Sequence, residues 1–117
     1  MDAERKAKLI EAGIDVDGAL ERFMGNDVLL EKLLKKFVED TNYDSLLTCT
    51  AGACNGEDAF KAAHTLKGVC GNLSMTTLYE LFSKQTELFR SGKLGEAFAM
   101  MPEISEAYNK AAAAIKE

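Results

Sequence analysis

The chain of 117 residues holds one histidine, His64, in the run Ala63-His64-Thr65-Leu66-Lys67-Gly68-Val69-Cys70-Gly71-Asn72. The run reads as helix, yet Gly68 and Gly71 interrupt it on the histidine's own side. Each glycine costs a helix interior about 1 kcal/mol relative to alanine. Two of them beside an imidazole and a lysine mark a surface that something must approach closely. A free imidazole titrates at about pH 6.5, so an exposed histidine is a nucleophile under physiological conditions. Attack on a phosphoryl group would leave a strongly negative phosphohistidine. Lys67, at i+3, stands on the same surface and can reach its oxygens as a flexible point charge. Gly68, at i+4, removes the side chain beside the ring, which lets a second protein bring an acceptor into line. Phosphoryl transfer asks for positioning and charge stabilisation more than covalent assistance.

The helix that carries these residues must present them to solvent. Successive residues turn by about 100°. With His64 as origin, Ala59, Ala62, Leu66, Val69, Cys70 and Leu73 fall on the far side and form an apolar stripe. Glu57, Lys61, Lys67, Gly68 and Gly71 fall within about 60° of His64. A lone histidine is often a satisfied core residue; this wheel places it outside, where it is either idle or functional. Phe60, one turn earlier and about 40° away, lies on the polar side too. A single exposed phenylalanine needs no explanation, but beside this histidine it is a candidate for an apolar docking patch.

The elements around that helix read as helices as well. Alanine, leucine, lysine and glutamate are plentiful, with one proline and no tryptophan, which favours an all-α protein. Residues 4 to 12 form a short leading helix broken near Gly13, and Asp15 caps a second short one with Val16, Ala19, Leu20 and Phe23. Asn26 caps a long segment whose stripe runs through Leu30, Leu33, Leu34, Phe37 and Val38 to Leu47. Thr48 to Asn55 reads as a loop, and Asn55 caps the histidine helix. Ser74 is the expected cap of the next helix, with its stripe of Leu78, Leu81, Phe82, Gln85, Leu88 and Phe89, closed by Ser91-Gly92. Leu94, Phe98, Met101, Tyr108 and Ile115 share the face of a last segment that Pro102 kinks or breaks. Four substantial amphipathic helices with short turns predict an antiparallel up-and-down four-helix bundle, with the short N-terminal helices capping one end. A length of 117 residues fits a single domain, residues 1–117.

Here the residues resemble a known family. The run His64-Thr65-Leu66-Lys67-Gly68, with alanine before and Gly71 after, closely resembles the motif of histidine-containing phosphotransfer (HPt) domains. The resemblance extends to Gly13-Ile14-Asp15-Val16, to Gly25-Asn26-Asp27 and to Asn72-Leu73 ahead of the helix of Leu78 and Leu81, so it covers nearly the whole chain. It implies a phosphohistidine carrier in a two-component phosphorelay: His64 accepts a phosphoryl group from a receiver-domain aspartate, at the distal ring nitrogen, and passes it to another. It implies that Lys67 steadies the phosphoryl group and that Gly68 gives the receiver access. Phe60, Lys61 and Gly71 would border the docking surface. The family often places a polar residue on the following helix to hydrogen-bond the imidazole, and by offset Gln85 or Thr86 is nearest that place. The partners would be receiver domains of response regulators or hybrid sensor kinases. The chain itself would need no cofactor, since Mg2+ comes with the receiver's acidic pocket.

Composition narrows the rivals. A net charge of −5 and a pI near 4.9 argue against nucleic-acid binding, which usually needs a basic face. No apolar run approaches the roughly 18 to 20 residues that span a bilayer, and no secretory signal opens the chain. A cytoplasmic monomer is expected, with Cys49, Cys54 and Cys70 as reduced thiols. A zinc site from Cys49, Cys54, His64 and Cys70 is disfavoured, because Cys70 projects about 120° from His64. An ATP-using enzyme is disfavoured by the lack of any phosphate-cradling glycine loop, and a self-contained hydrolase by the lack of a second histidine or acid pair. The remaining alternative is a helical adaptor that uses the same face to bind a signalling partner without being phosphorylated.

Overall fold

Side-chain caps decide where several helices begin. Asp15 accepts from the Gly18 amide, Asn26 from Leu29 and Asn55 from Asp58, each satisfying an amide that the first helical turn leaves without a partner. The computed structural model describes residues 1–50, 52 and 55–117, and among these it contains eight helices and no strand. They are α1 (Ala3–Glu11), α2 (Val16–Arg22), α3 (Asp27–Glu39), α4 (Asn42–Thr50), α5 (Gly56–Asn72), α6 (Thr76–Arg90), α7 (Leu94–Ala99) and α8 (Met101–Lys116). The protein is therefore all-helical. None of these helices is long and apolar enough to cross a membrane.

Two of the four long segments expected from the sequence are each divided. The first ends at Asp40, whose backbone turns extended and whose carboxylate accepts from both the amide and the side chain of Asn42. This local turn competes with the helix ladder and restarts it as α4. The restart shifts the apolar register, so Leu46 is buried and Leu47, expected on the stripe, is exposed. The helix then runs on through Thr50, into what the sequence read as loop; Ala51, Ala53 and Cys54 of that stretch lie outside the described residues. The second division falls between Ala99 and Met101, with Pro102 in the first turn of α8. Proline belongs there because its missing amide has no helical partner to lose.

Helix α5 is the centre of the fold. It packs against α4 on one side and α6 on the other, while α8 meets α1, α3, α6 and α7. The buried side chains form one cluster in which Leu30, Leu34, Phe37, Leu66, Phe82 and Ile104 are among the fully or nearly fully enclosed. Tyr43 of α4 stacks on Tyr108 of α8 with centroids 3.6 Å apart, and its hydroxyl lies 2.9 Å from Ser105 Oγ. Arg5 of α1 donates to the Ala114 and Ile115 carbonyls at the end of α8 while pairing with Glu31 of α3. A cation there offsets the negative end of the α8 dipole and joins three helices at once.

Candidate functional site

The inner face of α5 is built from small residues. Ala59, Ala62, Ala63, Leu66 and Cys70 are all buried, and the alanines let α4 and α6 close in from either side. Its far end is clamped. Arg22, the last residue of α2, donates to the Gly71 carbonyl at 2.8 Å, the Asn72 carbonyl at 2.7 Å and Ser74 Oγ at 3.1 Å. Ser74 is consequently not the helix cap the sequence implied. It sits at φ +55°, and Met75 precedes α6 without a side-chain cap.

His64 stands on the outer face and is exposed. Among the described residues it makes no hydrogen bond or ion pair, and its ring lies 5.7 Å from that of Phe60 at an interplanar angle of 11°. Thr65 beside it is exposed, Lys67 is half-buried, and Gly68 is exposed. A Cβ built on Gly68 would have nothing within 4 Å, so the ground next to the imidazole is bare. Lys67 takes part in no ion pair among the described residues, whereas Lys61 pairs with Glu57 at 3.6 Å. An open groove between α3 and α5 runs past the imidazole, with Leu33, Lys36 and Asp40 opposite His64, Thr65 and Gly68. Lys36 was not visible as a site residue, because nothing local in the sequence links α3 to α5. The groove carries both signs, Lys36 and Asp40 lining it opposite the imidazole.

Four of the residues grouped with His64 have different surroundings from those expected. Gly71 does not face open ground: a Cβ there would meet Cδ1 and Cε1 of Tyr79 at 3.0 Å, so this glycine admits a neighbouring helix. Phe60 is half-buried and packed against the core, so only part of its ring faces solvent. Gln85 and Thr86 are both wholly enclosed and cannot touch a docking partner. The Gln85 amide donates to the Ala97 carbonyl at 3.0 Å and lies 3.2 Å from Met101 Sδ, which turns it toward α7 and α8.

Thr86 is placed otherwise. Gly71 beside Tyr79 and Phe60 beside Arg90 fix the antiparallel register of α5 on α6. Counting inward from either contact brings Thr86 level with His64. Its hydroxyl is buried without a hydrogen-bond partner among the described residues, and no bond joins it to the imidazole. By this count Thr86, one residue on from Gln85, is the one level with the histidine along the helix pair.

The cysteines also differ from the reading as three reduced thiols. Cys49 is disulfide-bonded, while Cys70 is a free thiol, fully enclosed, with its pKa pushed by burial up to about 12. Cys54 lies outside the described residues. Cys70 faces the core and His64 faces solvent, so these two do not share a metal site. Comparison with family models, curated proteins and solved structures finds no match to this chain.

Proposed function

We propose that this chain is a phosphohistidine carrier of the HPt kind, relaying a phosphoryl group between receiver domains. The observation that carries the reading is the pairing of an exposed imidazole with the empty space over Gly68 one turn on. A receiver can bring its aspartyl phosphate to that ring without displacing a side chain. The lone pair on the distal nitrogen, Nε2, then forms the N–P bond as the P–O bond to the aspartyl oxygen breaks. The carboxylate keeps that electron pair, and the Nδ1 proton is released to water. Transfer onward runs the same steps in reverse with a second aspartate.

Lys67 supplies a cation for the phosphoryl oxygens. Together with Lys36 it favours approach by the acidic pocket of a receiver, since complementary potentials raise encounter rates. Mg2+ belongs to that pocket, and the chain has no ATP site of its own in this reading. The helices fit the four-helix bundle of the family: α3 with α4, α5, α6, and α7 with α8 as the long members, α1 and α2 as the caps. In this reading the protein acts as a monomeric single domain.

Incubation with phosphorylated receivers tests this directly. Acid-labile label should appear on the wild-type protein and be absent from His64→Gln. Binding to receivers without label would mean the adaptor reading instead.

A further inference from the structure

An imidazole on an open helix face, with no hydrogen bond among the described residues to hold it, has several staggered rotamers open to it. In-line attack needs one of them. Something other than a polar partner must select it, and the structure offers a ring. His64 and Phe60 lie nearly parallel with centroids 5.7 Å apart, within the range in which offset aromatic pairs attract. Phe60 is itself secured: it packs against the core and lines a depression with Phe89, Arg90 and Leu94 at the junction of α6 and α7. Leu94 closes over the start of α5, its Cδ2 only 2.8 Å from where a Cβ on Gly56 would stand. The Arg90 guanidinium lies 5.4 Å from the Phe60 centroid, a cation–π distance that further fixes this ring.

We propose that Phe60 is a positioning residue for His64, with Arg90 steadying Phe60, so that the core transmits one fixed orientation to the reacting imidazole. The proposal rests on the phosphocarrier reading for its consequence in transfer, but the stack can be measured without any phosphoryl donor. A docking role would leave the Phe60 ring turned outward for a partner. Here its ring is stacked with the histidine, and much of its remaining surface is covered from within the molecule.

The test compares wild type with Phe60→Leu, Phe60→Tyr and Arg90→Gln by NMR of the imidazole ring protons, by initial rate of labelling from a phosphorylated receiver, and by receiver affinity. In Phe60→Leu the His64 ring protons should lose the upfield shift of a stacked ring, and the rate should fall about fivefold with affinity unchanged. Phe60→Tyr should restore both signals. Arg90→Gln, which leaves the core untouched, should move them in the same direction by less. Ring protons that do not shift in Phe60→Leu, while its helical content and melting match wild type, would overturn the proposal. So would an equal loss in affinity and rate with the His64 signals unmoved, which is the signature of a docking contact. A wild-type protein that takes no label from any receiver overturns the phosphocarrier reading and the transfer role with it; the ring protons then still decide whether Phe60 holds the imidazole.

Discussion

Gly68 and Gly71 lie less than one turn apart on α5, and they do opposite things. The first looks onto empty space beside the imidazole; the second lies against the ring of Tyr79. One glycine keeps other groups of the chain away, and the other lets a helix come near. The two regions of α5 divide in the same way: the outer face at His64, Thr65 and Gly68 is exposed and unclamped, whereas the end from Cys70 onward is tied to α2 by Arg22. Helix propensity treats the two residues alike. Only the tertiary surroundings tell them apart.

Substitutions at the open end should disturb chemistry and leave the fold alone. His64→Gln should eliminate labelling altogether while its melting temperature stays that of wild type; early melting would mean the ring has a structural role. Gly68→Gln should slow transfer at least about tenfold by filling the approach to the ring, since small misplacements cost rates steeply. A wild-type rate in that variant would mean that the bare ground over Gly68 does not serve access to the imidazole.

Substitutions at the enclosed end should disturb stability. Burial holds the Cys70 thiol protonated in the folded chain up to about pH 12, against an ordinary value of 9.0. Above pH 9.0 the unfolded chain releases this proton and the folded chain does not, so stability falls as pH rises through that window. For one proton the limiting slope is about 1.4 kcal/mol per pH unit. Denaturant titrations of Cys70→Ala should show a shallower alkaline decline than wild type, and parallel declines would count against the enclosed thiol. Arg22→Ala removes the bonds to the Gly71 and Asn72 carbonyls, and should cost about 1–2 kcal/mol in the same measurement. The smallest effect separates the glycines themselves. Gly68→Ala should stabilise by about 1 kcal/mol from helix propensity alone. Gly71→Ala should gain less, because the Tyr79 ring must move to admit the methyl, and Tyr79→Ala in the same chain should recover the difference.

Much of this organisation is legible in the residue order because its causes are local. Asp15, Asn26 and Asn55 cap the helices they precede, and the stripe from Ala59 to Leu73 points inward as its spacing requires. Most of what escaped depends on residues far apart in the chain; one local turn is the exception. Asp40 breaks a helix in the middle of a continuous leucine stripe, through a turn that periodicity does not register. The environment of Gly71 is set by Tyr79 of α6, and that of Ser74 by Arg22 of α2. Gln85 and Thr86 are adjacent and both polar, yet one donates toward α7 and α8 while the other is enclosed with no hydrogen-bond partner among the described residues. Nothing in either residue alone distinguishes those positions. The exposure of His64 was legible because it follows from the helical wheel, which places Gly68 and Gly71 alike on the open face and does not foresee that only Gly68 is bare.

The stacked tyrosines have a practical consequence. With no tryptophan and only three tyrosines in the chain, intrinsic ultraviolet emission comes from Tyr43, Tyr79 and Tyr108. Tyr43 and Tyr108 are held face to face between α4 and α8, while Tyr79 is half in solvent beside Gly71. Fluorescence of a Tyr79→Phe variant would therefore isolate the buried pair, and give a dye-free record of when α4 parts from α8 during unfolding.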